Sequence, residues 1–536
     1  MSSPSPDPPG SPPGSRIGPA ILGAALGVAA VLISLVATRS AFFDLDRYQV
    51  PKELVLHSTA LVGLVVLLPG WRRIRFTTVD LLLLLALLWT WASTLLATNP
   101  WIAGRAAGIA TSAFVIYLMG RRITGTPAAR IAIAGMVAAV AVAALIGAAE
   151  AFGFDHPVFA AERVPGGTFG NRNFLAHFVA IGLPLVLVLT TASRRWWARA
   201  PGLVIAGLLI GLIVLTRSRA AWLASATAGG VMLLAAWRAG PWRASLVPTG
   251  RAALVLAITV GIVAALMLPN QLEWKSDSPY TDTVSGLVDY RSGSGQGRLV
   301  QWRNSLEMIP GDPVFGVGPG NWFVHYPRVT APGDPAFAGY DAVPTNPWPS
   351  SDWVAFLTEI GIAGTLWILL AGAAIWLISW RRTHSEDPEE AGRGLMLLGM
   401  ITAALVTGGF DAVLHLAAPA FLVASATGLL LPATKMVVER ELSLLARRSL
   451  TALGLLVGLA LVLQSTGQQL ALRATRDDRG RAAVQEALRF DPWNFRLHLR
   501  LAQGASCRIR LPHAERARAL LPYHEYPRRV LRECGR

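Results

Sequence analysis

The chain has 536 residues, of which 53% are hydrophobic and only 15% charged, and it carries a formal net charge of +16. Soluble domains carry about 25% charged residues, so the composition excludes a soluble globular protein and indicates an integral membrane protein. The basic excess would also suit nucleic acid, but arginines that anchor the connections between membrane spans account for it, and no nucleic-acid partner is expected.

The first sixteen residues, MSSPSPDPPGSPPGSR, are rich in Pro, Ser and Gly and read as a disordered cytoplasmic N-terminus. The apolar run that follows lasts about 20 residues and shows no cleavage site, so it reads as a span rather than a signal peptide. About thirteen apolar runs of bilayer-spanning length follow one another, nine within 17–269 and four within 352–465. The second is expected at 54–70 and the last at 449–465. Arginines recur in every other connection: Arg72, Arg73 and Arg75; Arg121, Arg122 and Arg130; Arg194, Arg195 and Arg199; Arg238, Arg243 and Arg251; Arg381, Arg382 and Arg393; then Lys435, Arg440, Arg447 and Arg448. The positive-inside rule places these connections and the N-terminus in the cytoplasm, and the long 270–351 loop outside. An odd number of spans puts the 466–536 tail outside as well. The fold class expected is thus all-α: a multi-pass protein with a large extracytoplasmic loop and a small helical C-terminal unit.

Within the loop, Leu299, Trp302, Leu306 and Ile309 recur at helical spacing from Arg298. They predict an amphipathic helix that Pro310, Gly311 and Pro313 stop. Its apolar face suits a membrane surface, and a solvated surface helix fits equally. In the tail, 481–503 and 513–534 read as short amphipathic helices with proline-marked turns and resemble a degenerate tetratricopeptide repeat. Cys507 and Cys534 are the only cysteines; in an oxidising compartment they are disulfide candidates.

Polar residues that carry chemistry concentrate on the outer face. Thr216-Arg217-Ser218-Arg219 lies between two apolar runs, where paired arginines suit a phosphate or diphosphate at headgroup level, with plain interfacial anchoring as the alternative. Asn171, Arg172 and Asn173 supply polar groups at the outer end of a span. The glycine-rich GVGPGNW (316–322) reads as turn chemistry rather than a phosphate cradle. Asp411 and His415, spaced i,i+4, are expected on one helix face. Glu150 and Glu359 read as packing hydrogen bonds or proton relays. The loop acids, Asp289 and Asp341 among them, show no metal-ligand spacing, so no metal site and no cofactor are expected.

Taken together, GGTFGNRNFLAHF (166–178), TRSRAAW (216–222), GRLVQW (297–302), PVFGVGPGNW (313–322) and FLTEIGIAG (356–364) resemble, in that order, the O-antigen ligase and polymerase superfamily of bacterial envelope glycosyltransferases. The resemblance covers roughly residues 40–435. It implies a bacterial cytoplasmic-membrane enzyme that transfers a glycan from undecaprenyl diphosphate to a hydroxyl of a glycan, lipid or protein acceptor on the periplasmic face, without a metal ion. Carried over by position, Arg217 and Arg219 would hold the diphosphate and Arg298 would neutralise it as it leaves. The family pattern has a histidine about ten residues before the Glu-Ile-Gly turn; here that position is Ser350. Serine is no base near neutral pH, so Asp352, His325 or His415 would have to take over, with Asp352 preferred. The alternatives are a homologue that binds the lipid-linked glycan without turnover, or a polysaccharide transporter.

Overall fold

The computed structural model describes residues 14–535 apart from 40–43, 160–162, 194, 239–247, 275, 287–292, 331–333, 335–346, 433–434, 477–479 and 504–505. Most of the 1–16 segment, Arg243, Asp289 and Asp341 therefore lie outside the described residues. The chain is an all-α membrane bundle. Its passes are α1 (Gly14–Leu35), α2 (Asp44–Leu67), α3 (Thr78–Leu95), α4 (Pro100–Ile123), α5 (Pro127–Ala151), α6 (Arg172–Ala192), α7 (Trp196–Thr216), α8 (Arg219–Arg238) and α9 (Pro248–Met267). The loop holds α10 (Pro279–Ser285), α11 (Gly293–Leu306) and α12 (Trp322–His325). Then come α13 (Asp352–Glu359), α14 (Gly361–Arg382), α15 (Pro388–Gly408), α16 (Ala417–Leu430) and α17 (Leu444–Thr475), and the tail adds α18 (Gly480–Phe490), α19 (Phe495–Leu501), α20 (Cys507–Leu520) and α21 (Glu525–Glu533). Among the described residues, twelve helices are long and apolar enough to cross a membrane. The remaining expected pass, α16, has only 14 residues and is buried along most of its length. Large apolar side chains such as Leu88, Leu145, Val204, Leu233 and Leu456 stay exposed around the bundle, as lipid-facing residues do.

Three boundaries differ from expectation; the pass expected from 352 begins only at Gly361, after the separate short helix α13. The second pass begins at Asp44 rather than 54, because its charges are satisfied inside the protein. Lys52 donates to the carbonyls of Val36 (2.6 Å) and Thr168 (2.9 Å), and Arg105 of α4 holds Glu53 (2.7 Å) and Asp46 (3.1 Å). A hydropathy reading counts these residues against a span, since it cannot see partners more than 50 residues away. The last pass does not stop near 465. Its 32 residues span about 48 Å at 1.5 Å per residue, so the helix leaves the bilayer and carries the tail with it.

The two faces differ in how they are tied. On the arginine-rich face, β1 (Arg73–Phe76) pairs antiparallel with β2 (Val438–Glu441), setting Arg73 opposite Glu441 and Arg75 opposite Glu439. No strand is expected from the sequence, because four-residue strands acquire meaning only when their distant partner is known. On the other face the loop and the tail pack together: Trp101, Val317, Trp322, Phe323, Phe495 and Leu521 share one apolar cluster. Polar ties fix it: Trp101 Nε1 donates to Asp491 at 2.7 Å, Asn99 Nδ2 to the Leu520 carbonyl at 3.2 Å, and Arg496 Nη1 to Asp46 at 2.6 Å. Arg105 and Arg496 thereby neutralise Asp46 and Glu53 in a buried group, which is costly to break from one side.

The tail forms two helix–turn–helix pairs, α18–α19 and α20–α21. Helix pairing alone does not make it a tetratricopeptide unit. Cys507 and Cys534 are joined by a disulfide, with Cα atoms 5.5 Å apart and 27 residues of separation. Closing a loop of this size constrains the unfolded tail by about 3.5 kcal/mol. We therefore expect Cys507→Ser combined with Cys534→Ser to leave the bundle intact but to make 480–535 sensitive to limited proteolysis. An unchanged cleavage pattern would show that docking alone holds the tail.

Candidate active site on the loop face

α7 ends at Thr216 and α8 begins at Arg219, so two residues make the reversal. Arg217 achieves it with φ of 53°, a left-handed conformation that costs a residue with a Cβ about 1–3 kcal/mol and concentrates at functional sites. Its Nε donates to Thr283 Oγ1 at 2.9 Å, and its guanidinium lies 4.6 Å from the ring centre of Trp274. Arg172, the first residue of α6, reaches the same indole at 4.8 Å. Two cations on one ring repel each other, so this corner favours an anion between or above them. Arg219 donates to the carbonyl of Gly286, which anchors the end of α10 over the turn. Asn171 serves α6 as its N-cap, with its side chain accepting from the Asn173 amide at 2.9 Å.

Ser218, between the two arginines, is buried, and its Oγ lies 3.4 Å from His177 Nε2. Nδ1 of His177 is buried without a hydrogen-bond partner. Arg298 of α11 is close enough for its charge to act on both His177 and Asp411.

The second half of the site is built from α13 and the connection between α15 and α16. Ser351 caps α13, and Asp352 behind it is fully buried. The Asp352 carboxylate accepts from the amides of Val413 (3.0 Å) and Leu414 (2.8 Å) and meets His415 Nδ1 at 2.6 Å. On the other side of the imidazole, Nε2 lies 3.4 Å from Glu359, and Phe356 stacks on the ring at 4.7 Å. Burial opposes a charge on His415, but the two flanking carboxylates outweigh it and push its pKa up to about 10. Asp411 has the opposite problem. Burial raises its carboxyl, Arg298 draws it back, and the balance is about 6. The expected shared helix face for Asp411 and His415 is not found, because α15 ends at Gly408 and both residues occupy a non-helical connection. They still converge, through Asp352: its amide donates to the Asp411 carbonyl at 3.2 Å.

Glu359 supports the site from the loop side. Its carboxylate accepts from the amides of Gly320 (2.8 Å) and Trp322 (3.3 Å), while the carbonyls of Thr358 and Glu359 accept from Val317 and Gly318. Such approach needs glycine: a Cβ on Gly316, at φ +66°, would sit 2.4 Å from the Glu359 carbonyl carbon. GVGPGNW is thus turn chemistry with a docking purpose. Glu150 similarly accepts from the Gly167 amide at 2.6 Å.

Helix α11 begins five residues earlier than expected and turns another face inward. Gln301 and Ser305 are buried, while Leu299, Val300 and Leu306 are exposed beside Arg303. Trp302 donates to the Pro349 carbonyl at 2.9 Å, next to Ser350, which holds a left-handed φ of 51°. His325 lies elsewhere. Its Nε2 pairs with Thr98 Oγ1 at 2.8 Å and its ring rests on Tyr523 of the tail, and burial, with Arg328 nearby, draws its pKa down to about 4. Its place is the loop–tail joint rather than the Arg298–Asp411 group. Two apolar recesses flank the site. One, of about 290 Å³, includes Glu359 and His415 among walls of Phe114, Phe356, Leu405 and Val423. The other, of about 520 Å³, runs between α7 and α9 up to Leu215 and Leu268, just below Arg217.

Two neighbours of the arginine residues, His177 and Trp274, are not marked as site residues by the sequence. Within its motif, the spacing Asn171–Arg172–His177 was the available signal for His177; nothing local marks Trp274. The raised His415 pKa gives a test. Unfolded, the group titrates near 6.5, so its stabilising contribution is complete below pH 6.5 and is lost as pH climbs towards 10. His415→Gln should flatten the fall in thermal stability across that window; an identical pH profile in variant and natural protein would refute the paired imidazolium.

No curated protein matches the chain. Residues 203–369 match the family model described as O-Antigen ligase, a stretch running from within α7 through the arginine turn, the loop and Glu359 into α14. His177, Asp411 and His415 lie outside the matched stretch, yet the structure brings them to it. Residues 203–369 thus form an O-antigen ligase domain, which supports a role in glycan transfer in O-antigen or polysaccharide biosynthesis.

Proposed function

We propose that the chain moves a glycan from a polyprenyl diphosphate, undecaprenyl diphosphate in bacteria, to an acceptor hydroxyl on the periplasmic side of the cytoplasmic membrane. The observation that carries this reading is the arginine corner: Arg172 and Arg217 lie over the one Trp274 indole, with Arg219 anchored beside them and an apolar recess running up to Leu215. Arg172, Arg217 and Arg219 hold the diphosphate, whose apolar chain follows the glycine-lined recess between α7 and α9. The acceptor oxygen attacks the anomeric carbon and forms the new glycosidic bond. The bond from that carbon to the diphosphate oxygen breaks, and the lipid diphosphate leaves with its electron pair towards Arg298. Asp411 takes the acceptor proton: a carboxyl titrating near 6 is ionised at neutral pH and still basic enough for the task. Asp352 is less suited, because its oxygens already hold Val413, Leu414 and His415; it positions the connection that carries Asp411. His415, charged up to about pH 10, is an electrostatic and positioning group rather than a base.

Ser350 favours one rival, a homologue that binds the lipid-linked glycan without turning it over. Reconstitution with a lipid-diphosphate-linked glycan separates the two. Transfer by the natural protein should fall about 100-fold or more in Arg298→Ala, and Arg219→Ala should weaken donor binding. Donor binding without transfer to any glycan, lipid or protein acceptor would establish the rival.

The base assignment has its own signature. The transfer rate should rise with pH through about 6 and level off above it, as Asp411 ionises. Asp411→Asn should abolish that limb and most of the rate while still binding donor. A variant that keeps both the rate and the limb would return the search to Asp352.

A further inference from the structure

The opposite face of the bundle holds a cavity of about 950 Å³ that glycan transfer does not use. Arg72, Arg73, Arg75, Arg121, Arg122 and Arg447 line it, against two acids, Asp80 and Glu441, a formal excess of four positive charges. Both acids are already engaged by the protein. Asp80 accepts from the Thr77 amide and hydroxyl, each at 2.7 Å, and from the Tyr117 hydroxyl at 2.5 Å, while Glu441 pairs with Arg73 across the two-stranded sheet. Arg447 gives one Nη to the Pro69 carbonyl but keeps a buried Nε without a hydrogen-bond partner. The remaining walls are apolar: Leu67 and Leu118 come from the ends of α2 and α4, Trp71 precedes β1 and Phe76 ends it.

Arg73, Arg75 and Arg121 have acid partners in Glu441, Glu439 and Asp80, so Arg72, Arg122 and Arg447 carry the charge of the recess that no acid pairs with among the described residues. Here the sheet between β1 and β2 gathers arginines from three connections around one recess at the rim of the membrane passes. Guanidinium groups offer forked donors that match phosphate oxygens, and the leucines beside them suit the glycerol and upper acyl region of a lipid. We propose that this cavity binds the phosphate headgroup of an anionic glycerophospholipid from the inner leaflet, where basic recesses between transmembrane helices hold such headgroups. The lipid would bridge the α2–α3 and α16–α17 connections that the sheet already joins.

The test uses the full chain, purified and returned to nanodiscs of phosphatidylglycerol or phosphatidylcholine. Phosphatidylglycerol should raise the thermal midpoint and survive delipidation, as read by native mass spectrometry. Arg72→Gln with Arg122→Gln, two exposed positions, should weaken its retention about 30-fold, the worth of two surface arginines. Arg448→Gln, which does not line the cavity, should retain it as the natural protein does. Equal effects of the two lipids, or full retention by the double variant, would overturn the site. If glycerol phosphate or inorganic phosphate stabilises the protein as well as phosphatidylglycerol does, the ligand is a soluble anion and the lipid assignment falls.

Discussion

Glu359 closes α13 with both carboxylate oxygens engaged, by the amides of Gly320 and Trp322 on the loop side and by His415 on the bundle side. Everything on the loop face depends on that seat. It fixes GVGPGNW against the membrane passes, and through Trp322 it fixes the apolar cluster onto which the tail packs. It also supplies one of the two charges that keep His415 protonated. A buried carboxylate of this kind is held by geometry rather than by solvent, since removing any one partner leaves a desolvated polar group behind. The described parts of the loop are therefore tied to the bundle at two places, GVGPGNW on Glu359 and Thr283 and Gly286 on the arginine turn.

The same logic explains why charged residues lie so deep in this bundle. Asp46, Lys52, Glu53 and Arg105 all belong to membrane helices, and each is matched within the protein. Other arginines gather instead at helix ends, Arg172 at the start of α6 and Arg217 at the left-handed turn after α7, where both lie over Trp274.

Much of the fold was legible in the sequence, because apolar run length and arginine alternation report directly on the bilayer. The arginine turn was legible for the same reason: two charges between two spans have few structural excuses. Other features were hidden by distance. The β1–β2 pairing joins residues more than 360 positions apart, and the ion group around Asp46 is completed by Arg496 from the tail. Asp411 was seen but misplaced onto a helix, since spacing cannot tell that two glycines end α15 before it. For α11 the apolar periodicity was real, but the helix buries Gln301 and Ser305, whose hydroxyl accepts from the Trp322 indole, and turns the leucines outward.

The docking of the tail also orders events in time. Its contacts with Asp46, Trp101 and Phe323 come from residues made after every membrane pass. Until Arg496 arrives, Asp46 and Glu53 share Arg105 alone, and the aromatic surface of the loop around Phe323 has nothing to lie against. A chain cut before its tail would keep every membrane pass, yet leave Asp46 without Arg496 and the aromatic surface around Phe323 without Phe495 and His524.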